Sequence, residues 1–171
     1  MESLSREEWR YSRDMKLWLK ILICVLVINL LGGAGAIFTS GSLKDWYASL
    51  EKPPGVPPNW VFGPVWTMLY AMIGISLALV WHQVRSGKAK KVALCWFFGQ
   101  MILNLAWTPI FFGAHRLGLA LVVIVALLMA ILVTLILFRK QHRLAGRLLI
   151  PYAIWVSYAT YLNAGYFALN G

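Results

Sequence analysis

Proton transfer, nucleophilic attack and metal binding each need particular side chains at particular spacings, and in this chain such residues are few and scattered. The six carboxylates, Glu2, Glu7, Glu8, Asp14, Asp45 and Glu51, all fall outside the long apolar stretches, so no acid pair can be built within them. His82, His115 and His142 lie at the ends of those stretches or between them, and none has a histidine partner one helical turn away. Cys24 and Cys95 stand alone in apolar runs with no Cys-x-x-Cys or Cys/His ligand spacing, and read as buried structural thiols. No metal site and no required cofactor is expected.

Aromatic and amide side chains, by contrast, recur at helical spacing. Phe62, Trp66 and Tyr70 repeat every four residues and form one stripe. Gln100, Asn104 and Trp107 share a face in a second segment. Tyr152, Trp155, Ala159, Asn163 and Tyr166 share one in a third, with a gap at Ala159 between larger groups. Three such faces turned inward would line an apolar pocket carrying a few amides. The same stripes could equally be helix packing or interfacial aromatic belts, with the amides bridging helices.

The segments that carry these faces are membrane-length. Of 171 residues 60% are hydrophobic and 13% charged, an excess that one small soluble core cannot hide. Five runs, at about 17–38, 60–84, 92–112, 117–138 and 144–169, are long enough to cross a bilayer, which takes roughly 20 residues as helix. The first is too long for a secretory h-region of about 7–15 residues and is expected to be a retained helix. Only Lys20 and Arg147 fall inside a run, each near an end where it can snorkel. Pro64 is expected in the first turn of its helix, where proline is tolerated. The formal charge of +10 is spread between apolar runs and not gathered on a polar face, which excludes a nucleic-acid partner.

Thirteen of the basic residues lie at the N-terminus or in the second and fourth loops. Only Lys44, Lys52 and Arg116 remain for the other side. That asymmetry places the N-terminus in the cytoplasm and the C-terminus outside. Residues 1–16 then form a cytoplasmic segment and 17–171 one bundle of five transmembrane helices, an all-α integral membrane protein. Short loops make consecutive helices antiparallel neighbours. The first loop, 39–59, is longer and holds Trp46, Tyr47 and four prolines, the composition of either a lid or an interfacial anchor. Gly32-x-x-x-Ala36 permits close approach of another helix, from the same bundle or from a second subunit.

Several segments resemble the TspO/translocator family, also known as tryptophan-rich sensory proteins or peripheral benzodiazepine receptors. They are Trp46-Tyr47 with Leu50-Glu51-Lys52-Pro53; Pro57-Pro58-Asn59-Trp60-Val61-Phe62-Gly63-Pro64-Val65-Trp66-Thr67 with Leu69-Tyr70; Asn104-Leu105-Ala106-Trp107; Pro109-Ile110-Phe111-Phe112-Gly113-Ala114; and Pro151-Tyr152 through Trp155 to Ala159-Thr160 and Leu162-Asn163.

The resemblance implies a five-helix bundle with a pocket opening toward the first loop. It implies a receptor or sensor for protoporphyrin, haem or similar flat apolar ligands, with transport of porphyrins or sterols as the alternative. By motif position it assigns Trp46, Trp66, Asn104, Trp107, Trp155 and Ala159 to the pocket. It also implies a homodimer in a bacterial cytoplasmic membrane, or in the mitochondrial outer membrane for a eukaryotic chain. Some bacterial relatives degrade protoporphyrin in light, and the implicated tryptophans match Trp66 and Trp155. Three departures matter. Pro54-Gly55-Val56 stands where an aromatic often follows the Lys-Pro pair. Val122-Val123 replaces an acid after Gly118-Leu119-Ala120-Leu121. No basic residue follows Tyr166, as the sterol motif requires. The last favours a tetrapyrrole over a sterol.

Overall fold

The computed structural model describes residues 15–35, 39, 46–83 and 87–171. Arg6, Arg10, Arg13, Lys44, Arg85, Ala36, the end of the first apolar run and every carboxylate except Glu51 lie outside these residues, as does most of the 1–16 segment. Among the described residues every regular element is helical. The elements are α1 (Leu17–Gly33), α2 (Trp46–Ser49), α3 (Asn59–His82), α4 (Lys88–Thr108) with a π-helical extension (Pro109–Gly113), α5 (Leu117–Gln141), α6 (Arg143–Leu148) and α7 (Ile150–Asn170).

Among the described residues, three helices are long and apolar enough to cross a membrane: Asn59–His82, Lys88–Gly113 and Leu117–Gln141. Their outward faces are apolar, as at Ile102, Val122 and Met129, which suits hydrocarbon where water would be a poor solvent. α1 is apolar over 17 residues. α7 has 21 residues and mixes apolar with tyrosine, serine and asparagine side chains. The expected fifth run, 144–169, is broken. α6 ends at Leu148 and α7 starts at Ile150, with Pro151 in its first turn, where its missing N–H costs nothing.

Proline also shapes the other ends. Pro64 lies in the second turn of α3 and not in its first, because the helix already begins at Asn59. Pro109 ends the regular hydrogen bonding of α4. The backbone widens there, and Ala114 N–H reaches back five residues to Pro109 O at 2.8 Å.

Close helix crossings occur where glycine removes the side chain. A Cβ on Gly74 would meet the Val25 backbone at 2.7 Å, so α1 and α3 touch main chain to main chain. Gly32 packs directly under the ring of Tyr70. The small residue of the Gly32-x-x-x-Ala36 spacing is thus used inside the bundle. Gly146 presses on Arg139, folding α6 back against α5, and Ser76 Oγ of α3 donates to Ala145 O at 2.8 Å. α5 packs along α4 and α7, while α3 approaches α5 and α7 only sparsely. A gap remains between α3, α4 and α7.

At the end where α1 begins, Lys20 is 8% exposed, with its ammonium 5.4 Å from the Trp81 ring centroid. It is covered by an aromatic face instead of reaching outward. Lys90 Nζ donates to the carbonyls of Trp81 (3.0 Å) and Gln83 (2.6 Å), satisfying orphan acceptors at the end of α3. Cys24 is buried as expected, but Cys95 is exposed beside Trp96 and Phe98, on a face turned outward from the bundle.

Gly74→Val should separate α1 from α3 and lower stability by about 1–3 kcal/mol, whereas Gly99→Ala, inside α4 and with a Cβ that meets nothing within 4 Å, should leave stability unchanged or raise it by up to about 1 kcal/mol. Thermal unfolding of both variants in detergent checks this.

Candidate functional site

The gap between the helices is a cavity of about 470 Å³ lined from α1, α2, α3, α4 and its π-helical extension, α5 and α7. No Asp, Glu, Lys, Arg or His is among its described lining residues. Its walls are aromatic: Phe62 and Trp66 from α3, Trp107, Phe111 and Phe112 from the α4 end, Trp155 and Tyr166 from α7, and Tyr47 from α2. Ala159 supplies the small position between Trp155 and Asn163, all three on the cavity wall.

The rings are held by one another. Trp66 stacks on Tyr70 with centroids 5.1 Å apart and meets Tyr152 edge-on at 6.2 Å. Phe62 and Trp155 face each other across α3 and α7 at 5.9 Å. Trp107 stacks on Phe111 at 5.0 Å. Offset and T-shaped pairs of this kind fix ring orientation as well as adding contact.

A buried polar chain crosses the same region. Tyr70 Oη donates to Asn104 Oδ1 (3.0 Å), Asn104 Nδ2 donates to Tyr152 Oη (3.0 Å), and Tyr152 Oη donates to Gln100 Oε1 (2.9 Å). Long side chains thereby join α3, α4 and α7 where the backbones stand apart. Asn104 lines the cavity, yet its amide is already engaged on both sides. Farther along, Trp107 Nε1 donates to Asn163 Oδ1 at 3.3 Å. Trp155 Nε1, Asn163 Nδ2 and Gln100 Nε2 are buried with no hydrogen-bond partner among the described residues.

The first loop closes one end. Tyr47 is buried against Phe111, Phe112 and Tyr166, and Tyr166 Oη donates to its hydroxyl at 2.7 Å. Burial pushes the Tyr47 hydroxyl pKa above its usual value, and the bond from Tyr166 pulls it partly back. Beyond α2 the loop runs down α7. Asn170 clamps Glu51 through both its N–H and its carbonyl (2.9 and 3.0 Å). Pro53 rests on the bare backbone of Gly165, and Tyr161 donates to Pro54 O at 3.3 Å. Gly55, with φ of 88°, presents its carbonyl to Tyr158 Oη. The departure at Pro54-Gly55-Val56 is therefore a built contact: only glycine adopts that backbone readily.

Of the twelve residues singled out above, on the three faces and at Trp46, nine line the cavity: Phe62, Trp66, Tyr70, Asn104, Trp107, Trp155, Ala159, Asn163 and Tyr166. Three do not, and of these Gln100 is buried away from the cavity. Trp46 turns away, stacking on His115 at 4.1 Å and edge-on against Phe111. Its neighbour Tyr47 takes the inward place because a helical turn at Trp46–Ser49 points the two rings in different directions. Tyr152 is fully buried behind the wall, where its hydroxyl serves Asn104 and Gln100. Sequence reasoning missed Phe111 and Phe112, although Pro109 signalled the break that brings both to the cavity. It also missed the α1 contribution, Asn29 with Gly32 and Gly33, for which the lone amide of the first run was a signal.

A bundle with membrane-length apolar helices and an aromatic cavity, uncharged among its described lining residues, under a fastened loop defines an all-helical membrane protein with an internal apolar cavity. The sequence profile of the TspO/MBR family matches residues 24–169, and the chain belongs to that family. It is 40% identical over 152 residues to a tryptophan-rich protein TspO of Archaeoglobus fulgidus, covering 89% of this chain and 97% of that one. It is 42% identical over 130 residues to the Homo sapiens translocator protein, covering 75% and 77% of the two chains. Protein CrtK of Rhodobacter capsulatus is 40% identical over 139 residues, 81% of this chain and 85% of its own.

Tyr152→Phe should break the polar chain and strand Asn104 Nδ2 and Gln100 Oε1. The expected loss is about 1–2 kcal/mol, the upper range for hydrogen bonds between membrane helices, read as a lower unfolding temperature in a lipid-like detergent.

Proposed function

We propose that this chain is a membrane receptor for protoporphyrin, haem and similar flat apolar ligands, held in the cavity beneath the first loop. The observation that carries the reading is the cavity itself: about 470 Å³, uncharged, and walled by ring faces from several helices. Its size is within the range of about 300–1,000 Å³ usual for small-molecule sites. A flat conjugated ligand gains from stacked and edge contacts that a branched aliphatic one does not. The unpartnered N–H groups of Trp155 and Asn163 add a preference. A buried donor without an acceptor costs about 1–3 kcal/mol, and a ligand offering one recovers part of it.

The reading includes five crossings, with α1 and the α6–α7 pair completing the three long spans. The N-terminus faces the cytoplasm of a bacterial inner membrane, or the corresponding side of the mitochondrial outer membrane, and the chain works as a homodimer. Labelling of single introduced cysteines tests the topology. A residue near Glu51 found on the same side as Lys90 would end the five-crossing reading.

Trp66 and Trp155 both line the cavity, which supports a second reading in which bound porphyrin is degraded in light. There the excited ligand supplies the reactivity and the indoles the oxidisable partner. Trp66→Phe and Trp155→Phe keep a ring in place and should weaken protoporphyrin binding by about tenfold or less, since about 1.4 kcal/mol is tenfold. Phenyl is much harder to oxidise, so light-dependent porphyrin loss should fall far more than binding. Ala159→Thr should impair binding with both indoles present. Titration of protoporphyrin fluorescence in the dark, followed by illumination, reads all three. Unchanged binding in three folded variants would move the site elsewhere.

A further inference from the structure

We propose that α6 and the end of α5 form a binding site for the headgroup of an anionic phospholipid. The site stands apart from the cavity. α6 is a wedge whose inner side is fully occupied: Ala145 and Gly146 are buried, Ala145 O accepts from Ser76 of α3, and Gly146 lies against the backbone of Arg139. That last contact brings the Arg139 and Arg147 main chains together, since Arg147 follows Gly146 directly. His142 Nδ1 accepts from Ala145 N at 3.3 Å and caps the helix start.

What remains outward is a mixed surface. Arg143 and Arg147 are one turn apart on α6 and both exposed, and Ile150 follows on the same stripe at the start of α7. Leu144 is 50% exposed and Ile150 43%. An arginine pair among exposed aliphatic side chains, at the end of a membrane span, suits the boundary between headgroups and acyl chains and not open water. Like charges one turn apart repel, and Arg139 adds a third cation. No carboxylate among the described residues lies at this end: the one described, Glu51, is held by Asn170 at the opposite end. A phosphodiester presented from the leaflet is an anion of the right chemistry for this arginine pair, because the planar guanidinium fork can grip its oxygens in pairs. The acyl chains then lie against Leu144 and Ile150.

The test is native mass spectrometry of the full chain released from bilayers containing phosphatidylcholine and a minor fraction of phosphatidylglycerol. Wild type should retain phosphatidylglycerol preferentially. Arg143→Gln with Arg147→Gln should lose that preference by roughly thirtyfold, the scale expected for two interfacial cations. Lys88→Gln with Lys91→Gln removes equal charge from exposed positions at the start of α4 and should leave the preference intact. Arg143→Lys with Arg147→Lys keeps charge and fold but loses the fork, and should fall between. Inorganic phosphate at millimolar level should not displace the lipid. Equal loss in the Lys88/Lys91 variant, full retention in either arginine variant, or displacement by inorganic phosphate would each overturn the site.

Discussion

Inside hydrocarbon a polar side chain must find its partner within the protein, and the chain from Tyr70 through Asn104 and Tyr152 to Gln100 turns that requirement into architecture. Each member is too long to let its helix approach the next closely. The bonds therefore tie α3, α4 and α7 together while holding their backbones apart. Elsewhere the opposite device operates. Gly74 brings α1 against α3 and Gly146 brings α6 against α5 with main chains in contact. The cavity exists because large polar residues space one set of helices while glycines draw in another.

The loop end shows the same economy. A free proline-rich segment would cover the cavity only part of the time. Here it is fastened at successive turns of α7, from Asn170 through Gly165 and Tyr161 to Tyr158. Two of these contacts need glycine for different reasons. Gly165 removes a side chain so that Pro53 can seat, and Gly55 adopts a left-handed conformation so that its carbonyl can meet Tyr158. Tyr47 then joins the cavity wall from above, linked to α7 through Tyr166.

Much of this was legible in the residues. Helical spacing put Phe62, Trp66 and Tyr70 on one stripe, and Trp155, Ala159 and Asn163 on another, and nine of the twelve candidate residues meet at the cavity. The misses have physical causes. Trp46 and Tyr47 are adjacent, so composition could not say which turns inward; the short α2 decides that. Tyr152 sits on the stripe but its hydroxyl is drawn behind the wall by two amides from α4. Phe111 and Phe112 escaped because a π-helical turn shifts the register that a 3.6-residue period assumes. Pro64 falls in the second turn because the helix begins at Asn59, one residue before the apolar run, and Pro64 is then its sixth residue. Cys95 was read as buried because a lipid-facing residue and a core residue are equally apolar in sequence.

The uncharged wall also constrains how a tetrapyrrole would have to lie, under the proposed reading. Protoporphyrin carries ionised propionates on one edge only, and moving a bare carboxylate into an apolar site costs far more than ring contacts return. No cation is among the described lining residues to offset it. Water-exposed charge lies instead beyond the loop end, where the Lys52 ammonium is 6.0 Å from the centroid of Tyr47, itself a cavity residue. The opposite edge, which bears only apolar methyl and vinyl groups, must therefore enter first, toward Tyr70 and Asn104, with the propionates left at the mouth. The polar chain at the inner end is then neutral for a reason. An ionised side chain there would need a counter-ion from the ligand, and the only edge able to reach it carries none.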